Sequence, residues 1–97
     1  MTATLQPVTL AQRVHPSDDV LMQEVGDEVV LLDLASERYF GLDPVGTRIW
    51  ALMADGAELA GVHAALCTEF EAEPDRIQDD LLELVRQLSA AGLVRID

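Results

Sequence analysis

Residues Arg38 to Trp50, reading RYFGLDPVGTRIW, constrain the fold of this chain more than any other stretch. Tyr39, Phe40 and Leu42 favour a pleated, half-buried strand. Asp43 stands where a helix N-cap belongs, and Pro44 takes the first helical position, where its missing N–H is no loss. The chain is therefore expected to pass directly from strand to helix, leaving a β-rich first half and an α-helical second half. The strand, Arg38 to Leu42, is short and carries neither Lys nor Pro, so little discourages its edge from pairing with another chain. That is an interface signal.

Upstream, Val20 to Val25 reads as a strand and Gly26-Asp27 as a two-residue hairpin turn. Glu28 to Leu34 is the strongest strand, apolar on both faces as a central strand would be. Val30, Leu32 and Leu34 share one face, and Val29, Leu31 and Asp33 the other. A turn at Ala35-Ser36-Glu37 then completes a three-stranded meander. Residues 1–19, with Pro7 and Pro16 among polar residues, read as an arm with one extended segment around Val8 to Val14.

Three helices are expected downstream. The first runs from Pro44 to about Ala54, with Val45, Ile49, Leu52 and Met53 on its apolar stripe and Gly56 beyond its end. The second spans about Ala60 to Phe70, with Val62, Leu66 and Phe70 four apart. Pro74 opens the third, where Ile77, Leu81, Leu84, Val85 and Leu88 recur at spacings of three and four. Gly92 stops it, and Leu93 to Ile96 is apolar enough to return as a short extended tail. The fold class is α+β, a three-stranded antiparallel sheet followed by three helices in a winged-helix-like order, with residues 20–97 as the domain.

Charge narrows the function. The net charge is −12, and six arginines with no lysine are the whole basic complement. Nucleic-acid binders neutralise phosphates with clustered Lys and Arg. A winged-helix regulator is thus disfavoured, because the third helix sets only Arg76 and Arg86 against Asp75, Asp79, Asp80 and Glu83. An acidic field attracts basic peptides or proteins, or simply keeps a small domain soluble. No apolar run nears the ~20 residues that span a bilayer. Met1 to Pro7 lacks a signal-peptide pattern, and the single Cys67 fits a reducing compartment, so a cytoplasmic location is expected.

Catalytic chemistry finds little support. His63 and Cys67 would share a helix face, but a structural zinc needs four ligands and only His15 remains as a further histidine. Nothing distinctive surrounds Cys67 as a nucleophile. Asp79, Asp80 and Glu83 read as a solvated helix face before they read as acid–base groups. Gly41 to Gly46 lacks the lysine of a P-loop and the spacing of a dinucleotide fingerprint. No carrier attachment site is present, which disfavours a small enzyme subunit or carrier. A non-enzyme without cofactor or metal is expected. Ile49 and Trp50 are adjacent on the first helix, so with Ile49 on the stripe Trp50 is expected on a flank, against the sheet or partly exposed, with ordinary core packing favoured over a partner contact. Tyr39 alternates with Phe40 and Leu42, so it faces outward if those two face the core.

Leu31-Leu32-Asp33-Leu34, then Arg38 to Asp43, then Val45 to Met53, followed by Asp80-Leu81, Val85, Leu88 and Gly92-Leu93-Val94, together resemble the PqqD-like family over about residues 18–96. The tyrosine-aromatic-Gly-Leu strand and Ile-Trp helix look most like stand-alone members from lasso-peptide gene clusters. The resemblance implies a RiPP recognition element, a domain that binds the leader of a ribosomally made precursor peptide and presents it to separate modifying enzymes. It implies a leader added as a strand beside the third strand, in a groove closed by the third helix. Transferred by position, the peptide-binding residues would be Arg38, Tyr39, Phe40, Gly41 and Leu42 on the strand, with Ile77, Asp80, Leu81 and Leu84 on the helix. The implied partners are the precursor leader, a transglutaminase-like leader peptidase and a cyclase, with neither nucleic acid nor membrane. A peptide chaperone of pyrroloquinoline quinone biosynthesis is the alternative within the same family.

Overall fold

The computed structural model describes residues 8–26, 28–54 and 56–96. The N-terminal stretch Met1 to Pro7 and Asp27 of the expected hairpin turn lie outside the described residues. Gly26, the other turn residue, has φ +66°, the left-handed conformation that such a turn requires.

The meander forms as expected: β2 (Val20–Val25), β3 (Glu28–Asp33) and β4 (Arg38–Leu42) make an antiparallel sheet in the order β2-β3-β4. Leu31 lies opposite Met22 and Phe40, and Leu32 lies opposite Leu21 and Tyr39. Residues directly opposite share a face, so the inward face is the one bearing Val29, Leu31 and Asp33, all buried. Asp33 ends β3 by turning its carboxylate on the following loop. Its Oδ1 accepts from the Ala35 N–H and its Oδ2 from the Ser36 hydroxyl, at 3.2 and 2.7 Å. Glu37 closes the loop in the left-handed region at φ 60°.

Within the stretch read as an arm, β1 (Arg13–Pro16) builds a second antiparallel sheet. It lies between β5 (Ala57–Glu58) and β6 (Val94–Ile96). Val14 pairs with Ala57 on one side and Ile96 on the other, and its side chain is fully buried. The extended tail expected at the C-terminus is β6. This sheet ties both ends of the fold together.

Three helices fill the rest: α1 (Pro44–Met53), α2 (Leu59–Glu69) and α3 (Pro74–Ala90). Asp43 caps α1 as expected, its Oδ1 accepting from the Gly46 N–H at 2.7 Å. The stripe of α1 is rotated from the expected one. Gly46, Ile49, Trp50 and Met53 are buried, Val45 is exposed and Leu52 half-buried. Trp50 packs in the core, as favoured for it over a partner contact, because burying its large ring outweighs burying Val45. No side chain caps α2. The amides of Leu59 and Ala60 instead donate to the carbonyls of Gln12 and Leu10, both at 2.9 Å, so the N-terminal segment does the capping. On α3, Ile77, Leu81, Val85 and Leu88 face inward. Together with Val14, Leu31, Ile49, Met53, Leu59 and Leu66 they form one core, each side chain worth about 1.5–3 kcal/mol of burial. No helix among the described residues is long and apolar enough to cross a membrane.

Candidate functional site

β4 is an outer strand of its sheet, hydrogen-bonded among the described residues to β3 alone. Beside it runs a groove made of three adjoining cavities. The first, about 260 Å³, lies between Phe40, Gly41 and Leu42 of β4 and Leu84 and Gln87 of α3. The second, about 300 Å³, shares Asp43, Gly46 and Leu84 with it and continues along Val45, Ile49 and Asp80. The third, about 130 Å³, shares Val45, Ile49 and Asp80 with the second and ends against Leu66, Phe70 and Ala72. The groove thus starts at an open strand edge and ends in a small apolar pocket. Such a shape suits an extended peptide, which pairs by its backbone and inserts alternate side chains.

Each wall follows from local structure. On α3, Ile77, Asp80, Leu84 and Gln87 are spaced three, four and three apart, one stripe beside the buried one. On α1, Val45 and Ile49 stand one turn apart, and Gly46 lets the helix approach β4. A Cβ on Gly46 would meet Asp43 Oδ1 at 3.1 Å and Leu42 Cδ2 at 3.3 Å. Arg48 locks the closed end. Its Nε and Nη2 donate to both carboxylate oxygens of Glu69, at 2.6 and 2.9 Å, next to Phe70. This hydrogen bond above all holds the Glu69 carboxyl below its ordinary range and Arg48 above its own.

Of the residues expected at the site, Phe40, Gly41, Leu42, Ile77, Asp80 and Leu84 line the groove. Leu42 and Ile77 are nearly covered by the core, Phe40 and Leu84 are half-buried, and Gly41 and Asp80 are exposed. Asp80 has no hydrogen-bond or ion-pair partner among the described residues. Leu81 is fully buried and supports the groove from behind. Arg38 is exposed at the start of β4, outside these cavities. Tyr39 pairs with Leu32, so its side chain projects from the outer face of the sheet and is 76% exposed. The alternation of the sequence points the same way, whereas the family resemblance put Tyr39 in the groove. The sequence reading missed Val45, Gly46, Phe70 and Gln87. Val45 carried a usable signal, an apolar residue on the α1 stripe one turn before Ile49.

His63 and Cys67 do come together, Nε2 to Sγ at 3.5 Å, but His63 Nε2 also lies 2.9 Å from the Pro74 carbonyl. A carbonyl only accepts, so that nitrogen donates its proton there and cannot take one from the thiol. The His63–Pro74 hydrogen bond ties α2 to the start of α3. Among the described residues, no group of three metal-ligating side chains forms.

An α+β domain with an outer strand beside a helix-walled groove has the geometry that strand-adding peptide binders use. More particularly, the chain belongs to the PqqD family, described as coenzyme PQQ synthesis protein D, whose model matches residues 28–94. Among solved structures, TbiB1 in complex with the TbiA(beta) leader peptide is 37% identical. The match covers 84% of this chain and 94% of that one, with a TM-score of 0.77. Lasso peptide synthetase B1 complexed with the leader peptide is 26% identical over 84% of this chain and 96% of that one, with a TM-score of 0.76. Comparison with curated protein sequences gives no significant match.

Proposed function

We propose that this chain is a leader-peptide-binding adaptor of lasso-peptide biosynthesis, a RiPP recognition element with no catalytic step of its own. The observation that carries the reading is the unpaired edge of β4 alongside a groove walled by α1 and α3. Two similar structures, each a complex with a leader peptide, support it.

The leader joins the sheet beside β4, its backbone N–H and C=O groups pairing with those of Arg38 to Leu42. Side chains alternate along a strand, so every second leader residue turns toward the groove. There Phe40, Val45 and Leu84 offer apolar contact, and the closed end near Phe70 accepts one apolar side chain. Asp80 stands midway along this apolar wall and is the group that reads a cation or N–H donor on the leader. The adaptor then presents the bound precursor to a leader peptidase and a cyclase. The family description favours a second precursor class, the peptide precursor of the quinone cofactor, which the same geometry would hold.

Isothermal titration with the synthetic leader of the neighbouring precursor gene tests the proposal. Binding of about −8 to −9 kcal/mol, submicromolar to micromolar, is expected. No heat at high micromolar leader would overturn it, and binding of only a quinone-cofactor precursor would move the chain to the second class.

A further inference from the structure

A strand inserted between β4 and α3 has two hydrogen-bonding edges, and β4 serves only one of them. The peptide groups of the other edge turn toward α3. Left unpaired away from water, each would cost free energy comparable to a lost hydrogen bond. The stripe that α3 gives to the groove is Ile77, Asp80, Leu84 and Gln87, and Ile77 and Leu84 have nothing to offer a peptide group. Asp80 stands farther along, beside Val45 and Ile49 of α1. In the cavity lined by Phe40, Gly41 and Leu42 of β4, Gln87 is the polar side chain that α3 supplies.

The Gln87 carboxamide is already oriented. Glu83, one turn back on α3, accepts from Arg86 Nη1 at one carboxylate oxygen and from Gln87 Nε2 at the other, the latter at 3.3 Å. A carboxylate only accepts, so the Gln87 nitrogen is the atom turned to Glu83 and the oxygen is left over. That oxygen has no partner among the described residues, and Gln87 is exposed.

We infer that Gln87 binds the leader by its backbone: Oε1 accepts from a peptide N–H on the leader edge that faces away from β4. The inference rests on the leader-binding proposal. β4 on one side and Gln87 on the other then grip the same peptide. The bond reads no side chain, so it adds affinity without selecting a sequence, and selection stays with the apolar contacts of the groove and with Asp80.

The test titrates the full chain with the synthetic leader of the neighbouring precursor gene, and with a series of leaders in which one backbone amide at a time is replaced by an ester. An ester keeps every side chain and removes one N–H. Gln87→Leu keeps the approximate size and removes the acceptor, and circular dichroism verifies its fold. Leader affinity by fluorescence anisotropy should fall about three- to tenfold in Gln87→Leu, the scale of one hydrogen bond. At one position the ester should weaken binding to the wild type by a similar factor, yet leave binding to Gln87→Leu within about twofold of the unsubstituted leader. Esters at amides facing β4 should weaken both proteins alike. A Gln87→Leu affinity within about twofold of wild type would overturn the inference, as would a loss that no ester position shares. Failure of the wild-type chain to bind the unsubstituted leader at all would overturn the leader-binding proposal itself, and this inference with it.

Discussion

Tyr39 and Phe40 are neighbours on β4 and look to opposite sides of the sheet. Phe40 stands across from the fully buried Leu31 and borders the groove, whereas Tyr39 stands across from Leu32 on the outer face. Their substitutions should therefore separate. Phe40→Ala is expected to weaken leader binding by about 1–3 kcal/mol, the value of an apolar side chain buried in a complex. Tyr39→Ala should weaken it by clearly less. Titration calorimetry on both variants, with circular dichroism to verify folding, checks the order. A larger effect at Tyr39 would put the leader on the wrong face.

Asp80 is a carboxylate of the groove wall with no partner among the described residues. Asp80→Asn keeps the shape and removes the charge. Leader affinity should fall by about 0.5–2 kcal/mol, the range for one hydrogen bond to a charged group or one exposed ion pair. The same titration at raised salt should narrow the gap between the two proteins, since exposed charges are screened over ~8 Å at physiological ionic strength.

The strand-to-helix junction is a stability element. Asp43→Ala removes the cap on Gly46 and should cost about 1 kcal/mol. Gly46→Ala should cost about 1–2 kcal/mol, because the new methyl meets a carboxylate pinned by that cap and the covered side chain of Leu42. Urea denaturation gives both values. Neutral behaviour at Gly46 would mean that α1 can move away from β4.

Acid should loosen the closed end of the groove. Arg48 holds the Glu69 carboxyl below its ordinary value of 4.5, chiefly through their hydrogen bond. A carboxylate with a lowered folded-state pKa adds stability above its unfolded value, and loses it as pH falls through the lowered one. Both side chains remain partly exposed, so the effect is small. Denaturation midpoints should show a stability difference between wild type and Glu69→Gln at pH 7 that shrinks as pH falls below 4.5 and is lost as it passes through the lowered value. A difference unchanged across that range would contradict the pairing.

The meander and helices were legible because each has a strong local signal: the apolar run Val29 to Leu32, an Asp-Pro start at residues 43–44, and a three-four period on α3. The second sheet was not. Its strands are two to four residues long, and their partners are distant in sequence, Arg13 with Glu58 and Val14 with Ile96. A segment that short carries no period, and its strand state comes from the tertiary pairing. Of the groove's lining, the residues on β4 and some of those on α3 were legible. Periodicity identified the inward stripe with Leu81, but the groove is lined by the stripe beside it, and only packing decides which of two adjacent stripes a neighbouring strand leaves open. The rotation of α1 by Trp50 hid Val45 in the same way.

Amide hydrogen exchange with and without saturating leader tests the central claim most directly. If the leader adds as a strand to β4, amides within Arg38 to Leu42 gain protection on binding, while those of Val20 to Val25, on the opposite outer strand, change little. Protection that rises equally across the whole domain, or that appears on β2 and spares β4, would contradict it.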